Sequence, residues 1–469
     1  MATSPKRDVL LLTGADCFLR AFEYEVRRTS GASHLSQLVL RLGPDFDVAA
    51  FRQLVNEVSR ANPIVRSPIR RPGFVGAPVY ELDRAAAAPG VAISVHDRSE
   101  AGGTAALGDL PAVFARRLND RFDARRGRLL HFDLAPRAGD EPGTDLAMTW
   151  QHMLLDGSGS EFFVEHLAAC SADPQRDRTI PITRAAGGAS SPAVAELSAA
   201  SGVRGRMAQS WHRAMLVMGE KPPGSLAGPL RRVAQQLRYD QLRLGGQDGA
   251  AAMAKAKKMA GFLTPMLFFL AVSIRAHQAV ADRRGVSPAS WVVPLPVNLR
   301  PKGSQGEVFR THVSLLWFQV TPEQTRDMAT LLEVLKEQRL ASIRGKLVEA
   351  GVAAMDFARY APARVYSHMA RRTFGGELAS FFFAYTAEFA AGATSLCGAP
   401  ILDGFHVPSV PASPGSALVF CLRDGGLNVV QVHQHGSVNG EELGVMREQI
   451  LRDLGHAPDG ELSSGSTEE

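Results

Sequence analysis

Trp150-Gln151-His152-Met153-Leu154-Leu155-Asp156-Gly157-Ser158-Gly159 is the stretch of this chain best suited to chemistry. An imidazole titrates near neutral pH, so His152 at a strand end can take a proton from an attacking hydroxyl or amine. Asp156, four residues further on, has the chemistry to orient that ring as a triad carboxylate would. Gly157 removes a side chain where substrates must approach the base closely. Taken alone, a histidine at a strand end is usually structural, and the H-x-x-x-D-G string also arises by chance, so its surroundings must decide.

Other candidates are weaker. Ser380, Tyr385 and Thr386 can donate to an oxyanion, although a packed strand explains them better. His433-Gln434-His435 has two metal-ligating side chains but no carboxylate or cysteine at a supporting spacing, and reads as a solvated strand end. The run Phe381-Phe382-Phe383 reads as core. There is no G-x-G-x-x-G, P-loop, G-x-S-x-G or H-E-x-x-H pattern, so those enzyme classes have no support. Cys17, Cys170, Cys397 and Cys421 lie far apart and form no C-x-x-C pair, the pattern of reduced thiols.

The elements that must position His152 follow from periodicity. The spacing predicts a helix over 15–28, a strand over 36–42, and a helix over 48–62 that Pro63 stops. A strand at 78–82 and a helix at 110–118 come next, then strands at 129–135 and 145–152 joined by a turn at 141–143. After Gly157 a helix begins, with Ser158 and Glu161 at capping-box spacing and Phe162, Phe163, Leu167 and Cys170 forming an apolar face. His152 therefore lies in a strand–turn–helix. The Ser-, Ala-, Gly-, Pro- and Arg-rich stretch 171–205 reads as a linker. Beyond it we expect strands at 235–244, 291–297, 312–320, 379–383, 416–422 and 427–434, with helices over 250–282, 327–349 and 440–454. This alternation argues for two α/β domains, 1–178 and 206–459, followed by a polar, disordered tail at 460–469.

Composition narrows the class. The 469 residues are 45% hydrophobic and 21% charged, with 44 glycines and 28 prolines, which excludes a collagen-like or wholly disordered chain. The longest apolar run, 262–274, is broken by Thr264 and Pro265 and is too short to span a bilayer. With no secretion signal at the start, a cytoplasmic protein is expected. The net charge is +5, but the basic residues are dispersed, which fits an anionic small molecule or an acidic protein partner as well as it fits nucleic acid.

Several separate stretches together resemble the H-x-x-x-D acyltransferase superfamily, which includes chloramphenicol acetyltransferase, peptide-synthetase condensation domains, plant BAHD acyltransferases and bacterial wax ester synthases. Asn62-Pro63-Ile64-Val65-Arg66-Ser67 is similar to the family's "rHp.LRs" segment, and Asp156-Gly157-Ser158-Gly159 precedes an aromatic-rich helix as in the family. Pro296-Val297-Asn298-Leu299-Arg300 is similar to its "PVnlR" strand end, and Leu396-Cys397-Gly398-Ala399-Pro400 to its C-terminal layout. Three features depart from the pattern: Gln151 replaces the first of a usual histidine pair, the BAHD motif D-F-G-W-G is absent near Tyr385–Phe389, and residues around Thr311 and His312 stand where a Gly-Asn pair is usual.

The resemblance implies two chloramphenicol-acetyltransferase-like α/β domains with a tunnel between them. His152 would be the base, Gly157 would leave room for substrate, and Asp156 would turn away to pair with Arg300. An arginine is otherwise mostly solvated. The expected partners are an acyl thioester donor, on CoA or on an acyl carrier protein, and a small hydroxyl or amine acceptor. No bound cofactor, metal, nucleic acid or membrane span is expected. The alternative is a degenerate condensation-like module that holds a carrier protein without turnover. No residue is suited to carrying the acyl group covalently, so transfer would be direct, with Cys397 or Ser158 the first carriers to suspect if it is not.

Overall fold

The strand Leu35–Leu42 is buried along nearly its whole length because it lies inside a sheet covered on both faces, which calls for continuous rather than alternating apolarity. In the computed structural model, which describes residues 8–74, 76–97, 110–137, 142–183, 201–227, 236–301, 307–411 and 413–456, this sheet has six strands. Their order is Ser395–Leu396, Ala399–Pro408, Leu35–Leu42, Gly143–Gln151, Leu130–Arg137 and Ala92–Val95. All neighbours are antiparallel except the last pair. Leu35 pairs with Gln151, a register that sets His34 beside His152. Two of the six strands come from residues 395–408, so the hydrogen bonding of this sheet reaches into the C-terminal half of the chain.

A second sheet orders Phe382–Thr386, Ser416–Arg423, Gly426–Gln434 and Leu237–Leu244, and Trp291–Asn298 forms a hairpin with Val313–Val320. Ser380 joins hairpin to sheet: its N–H donates to the Val292 carbonyl at 2.8 Å and its hydroxyl accepts from the Val292 N–H at 2.9 Å. The apolar run near 262–274 forms the start of the helix Pro265–Arg283, buried over most of its length against the second sheet. Pro at its first turn costs no hydrogen bond. Among the described residues no single helix is long and apolar enough to cross a membrane.

The structure refines several expected elements. The helix expected over 250–282 is two, Gly246–Ala260 and Pro265–Arg283, broken at Gly261 with φ +100°. The one expected over 327–349 is also two, Met328–Arg344 and Leu347–Ala358, with Lys346 in the left-handed region between them. The strand expected at 379–383 lies at Phe382–Thr386, because Ser380 is taken up by the hairpin contact. The linker reading of 171–205 holds less of the chain than expected, since one helix runs through Ala172 and another occupies Ser201–Gly219. Residues 184–200, the tail 460–469, and part of the turn at 141–143 lie outside the described residues.

The two halves meet where the helix Gly14–Thr29 packs against Leu347–Ala358. A Cβ on Gly14 would lie 2.5 Å from the Asp356 nitrogen and 2.6 Å from the Met355 carbonyl carbon. Both are backbone atoms that cannot swing aside. Gly14→Ala should therefore force the helices apart and cost about 1–3 kcal/mol, as overpacking does, read as a fall in the urea midpoint. An unchanged midpoint would show that this contact does not hold the halves together.

Candidate active site

The strand Gly143–Gln151 ends in a tight turn that exposes His152. The Leu154 N–H closes the turn onto the Gln151 carbonyl at 2.8 Å, and the His152 N–H donates to the His34 carbonyl at 3.2 Å. The Leu155 carbonyl then receives the Trp150 indole N–H at 2.8 Å and lies 3.3 Å from His152 Nδ1. That contact places the proton on Nδ1 and leaves Nε2, which makes no hydrogen bond to the described residues, as the lone-pair nitrogen. The His152 and His34 rings stack with centroids 5.3 Å apart. Burial lowers the His152 imidazole below its ordinary value, and burial and then the neighbouring His152 push His34 well below its own. Both rings are therefore neutral at neutral pH, and one is a free base. Gln151 points to the opposite face, where its amide lies 3.4 Å from the Phe122 carbonyl.

Asp156 does not touch His152. Its Oδ1 accepts from the Gly159 N–H at 2.7 Å, capping the helix Gly157–Ala172. Its Oδ2 accepts from Arg300 Nη1 and from the His312 N–H, each at 2.8 Å. The Arg300 and Asp156 side chains are each 3% exposed. Burial raises a carboxyl, but Arg300 and His312 outweigh it and hold Asp156 below its ordinary range. Of the two roles open to Asp156, the geometry is that of a turn-fixing ion pair and not of a triad. The expected capping box is corrected: Asp156 is the N-cap, while Ser158 lies inside the helix and accepts from Asn298 Nδ2 at 3.2 Å. Glu161 instead meets His406 at 2.7 Å and accepts from the Ala390 N–H at 3.3 Å.

The segment after Arg300 completes the enclosure. Arg300 Nε donates to the Glu307 carbonyl at 2.6 Å, and the Glu307 carboxylate lies 2.6 Å from Arg310 and 2.9 Å from His312. Burial raises Glu307, yet these two partners more than reverse it and hold its carboxyl at about 2. Arg310 adopts φ +71°, a conformation rare for a side-chain-bearing residue. Its N–H donates to the Leu154 carbonyl at 2.7 Å, which fixes the turn below His152. Thr311 donates its N–H to Asp16 at 2.8 Å, so Thr311 and His312 serve the frame of the site.

The sequence candidates are thus sorted. His152, Asp156, Gly157 and Arg300 come together around one turn. Ser380 is fully buried and committed to Val292, and Tyr385 stacks on Phe269 at 5.1 Å; neither hydrogen-bonds His152. The four cysteines are buried, and burial raises every thiol, Cys17 to about 12. Sequence reasoning missed His34, Glu307, Arg310 and Gly159. Only Gly159 left a local signal, as a third small residue beside Gly157 and Ser158.

No family model and no curated protein sequence matches this chain. Solved structures do. The first condensation domain of the calcium-dependent antibiotic synthetase, in complex with a substrate analogue, matches with TM-score 0.67 at 15% identity over 96% of each chain. The chain has the condensation-domain fold. A starter condensation domain of rhizomide synthetase in complex with C8-CoA matches this fold with TM-score 0.64 at 14% identity, over 95% of this chain and 94% of that one. The trichothecene 15-O-acetyltransferase of Fusarium sporotrichioides matches with TM-score 0.66 at 12% identity, over 97% and 96%. The expected α/β, two-lobed, chloramphenicol-acetyltransferase-like architecture is therefore the one observed.

Within this condensation-domain fold the two glycines differ. A Cβ on Gly157 would meet nothing within 4 Å, whereas one on Gly159 would lie 2.3 Å from the Val308 carbonyl and 3.1 Å from Arg300 Nη2. Gly157→Ala should leave stability unchanged, and Gly159→Ala should lower it by about 1–3 kcal/mol. Arg300→Ala strands a buried carboxylate and should cost about 3–5 kcal/mol; Asp156→Asn should also lose stability, and the double variant should cost less than the two singles together. Because the folded pKa of Asp156 is depressed, its contribution is complete above about pH 4 and disappears as pH falls through the lower folded value. Urea unfolding of the native protein and the five variants across acidic pH checks these statements, and additive losses would separate Asp156 from Arg300.

Proposed function

We propose that this protein is an acyltransferase moving an acyl group from a thioester, on CoA or on a carrier protein, to a hydroxyl or amine acceptor. The supporting observation is the free Nε2 of a neutral His152, held by the Leu155 carbonyl while Asp156 is engaged by Arg300. The C8-CoA held by a structural neighbour supports a CoA-linked donor. Residues 1–178 and 206–459 would form the two lobes, with the second lending the strand Ala399–Pro408 to the first. Donor and acceptor would approach His152 from opposite ends of a tunnel between them.

In this mechanism Nε2 removes the acceptor proton as its oxygen or nitrogen attacks the thioester carbonyl, giving a tetrahedral oxyanion and an imidazolium. Collapse expels the thiolate, which takes the proton from the imidazolium and leaves as a thiol, forming an ester or an amide. The Leu155 carbonyl keeps Nδ1 protonated and the ring aimed, and the ring begins neutral because burial disfavours its charged form. Gly157 leaves open space at the start of the helix, which gives the reacting groups access. The raised thiol values leave the cysteines protonated and poor as carriers.

His152→Ala should reduce acyl transfer about 100- to 10,000-fold with little change in melting temperature. In the native protein kcat/KM should stay level through neutral pH and fall only below the ordinary histidine value, because the base must be unprotonated and its pKa is lowered. Near-normal turnover by the variant removes His152 from the mechanism. If no thiol is released from any thioester by the native protein, the carrier-holding module is the better reading.

The route should be direct. Incubation with acyl thioester alone should leave the intact mass unchanged, and initial rates should give intersecting double-reciprocal lines. An acyl adduct discharged by acceptor would overturn this, with Cys397 and Ser158 as the first sites to map.

A further inference from the structure

Away from His152, a cavity of about 370 Å³ opens between the turn Pro63–Arg66, the segment around Gly127 and the strands Ala92–Val95 and Leu130–Arg137. Its polar lining is Arg66, Arg128 and His131, and its apolar walls include Val91, Phe122 and Leu130. The volume lies within the range of small-molecule sites.

The charges here are unbalanced. The Arg66 Nε is buried without a hydrogen-bond partner, and no described residue forms an ion pair with the Arg66 side chain. The nearby carboxylates are committed. Asp133 is held by Arg117 at 2.7 and 2.8 Å and by His96 at 2.8 Å, and lies 3.4 Å from His131. Asp123 accepts from the Arg125 N–H at 3.0 Å. The flanking segment 121–128 carries Arg121, Arg125, Arg126 and Arg128 against Asp123 alone. Arg66 and Arg128 both line the cavity and neither is ion-paired by a described residue, so two guanidinium side chains share one concave surface without a fixed counter-charge, which favours an anion there.

The cavity is also built. Gly127 adopts φ +75°, and a Cβ there would lie 2.1 Å from the Arg66 carbonyl, so the two turns are pressed together. The Ser67 hydroxyl closes the first turn onto the Pro63 carbonyl at 2.8 Å. The Phe122 carbonyl receives Ser33 Oγ at 3.1 Å and Arg27 Nη2 at 2.8 Å.

We infer that this cavity binds a compact organic anion, its carboxylate or phosphate-ester head set against Arg66 and Arg128 and its apolar body against Val91, Phe122 and Leu130. The site is separate from His152 and holds whether or not the acyl-transfer reading does.

Titration calorimetry and melting curves on the full chain test it with benzoate, phenyl phosphate, inorganic phosphate and benzyl alcohol. Benzoate or phenyl phosphate should bind and raise the melting temperature, and the tighter of the two identifies the head group. Inorganic phosphate should bind more weakly, and benzyl alcohol not at all. Arg66→Met should weaken the anion at least about tenfold, the scale of one charge-assisted hydrogen bond. Ala92→Phe, which fills the cavity without touching its charges, should do the same if Arg66→Met folds poorly. His152→Ala should bind normally. Binding by neither anion, equal binding of benzyl alcohol, unweakened binding in both cavity variants, or loss of binding in His152→Ala would each overturn the inference.

Discussion

Asp156 carries a charge in a place that water barely reaches, and the surrounding structure is arranged around satisfying it. Its two oxygens take a helix N–H, a guanidinium and the His312 N–H, contacts that come from three separate stretches of chain. A carboxylate so placed would cost several kcal/mol without a partner, so the helix Gly157–Ala172, the strand end at Arg300 and the loop before Val313 cannot separate without exposing that cost. The turn that bears His152 is held in place as a result. The pair contributes through position: it stands beside the base without bonding to it.

The same segment ties the two halves of the molecule. Arg310 reaches the Leu154 carbonyl through its backbone and Glu307 through its guanidinium, while Thr311 donates to Asp16 in the first turn of the helix Gly14–Thr29. Asp16 is fully buried, and burial raises its carboxyl despite these contacts. Polar groups therefore line the meeting place of the halves, and Asp16, Asp156, Arg300, Glu307 and Arg310 each make at least one directed side-chain hydrogen bond there, which specifies one arrangement more sharply than apolar contact would. The left-handed Arg310 is tolerated there because four contacts over-determine it. Its conformational cost is small beside the burial of an unpaired charge.

At the base itself the design is one of neutrality. Two stacked imidazoles cannot both be charged in a partly dry site, and burial resolves the conflict by keeping each unprotonated. Gln151 contributes nothing to this, since alternation along the strand sends adjacent side chains to opposite faces. A second histidine does stand next to His152, but it arrives from the neighbouring strand rather than from the preceding residue.

Local order was legible in the sequence. The strand, turn and helix around His152 follow from apolar periodicity, and Pro63 sits at a boundary that proline favours. The association of Asp156 with Arg300 came from a resemblance between separate stretches, not from spacing, because nothing local links residues 144 positions apart. Only the tertiary structure decided the rest. The Leu35–Gln151 register puts His34 on His152, and a one-residue slip would have turned it to the other face. The close approach of the Val308 carbonyl makes Gly159 the glycine that packing requires, while Gly157 faces open space. The entry of Ala399–Pro408 into the first sheet follows from pairing edges that its own residues do not name. Propensity and capping act over a few residues and are written in order along the chain. Charge compensation, register and close packing act between residues that meet only after folding, so no stretch of sequence carries both sides of them.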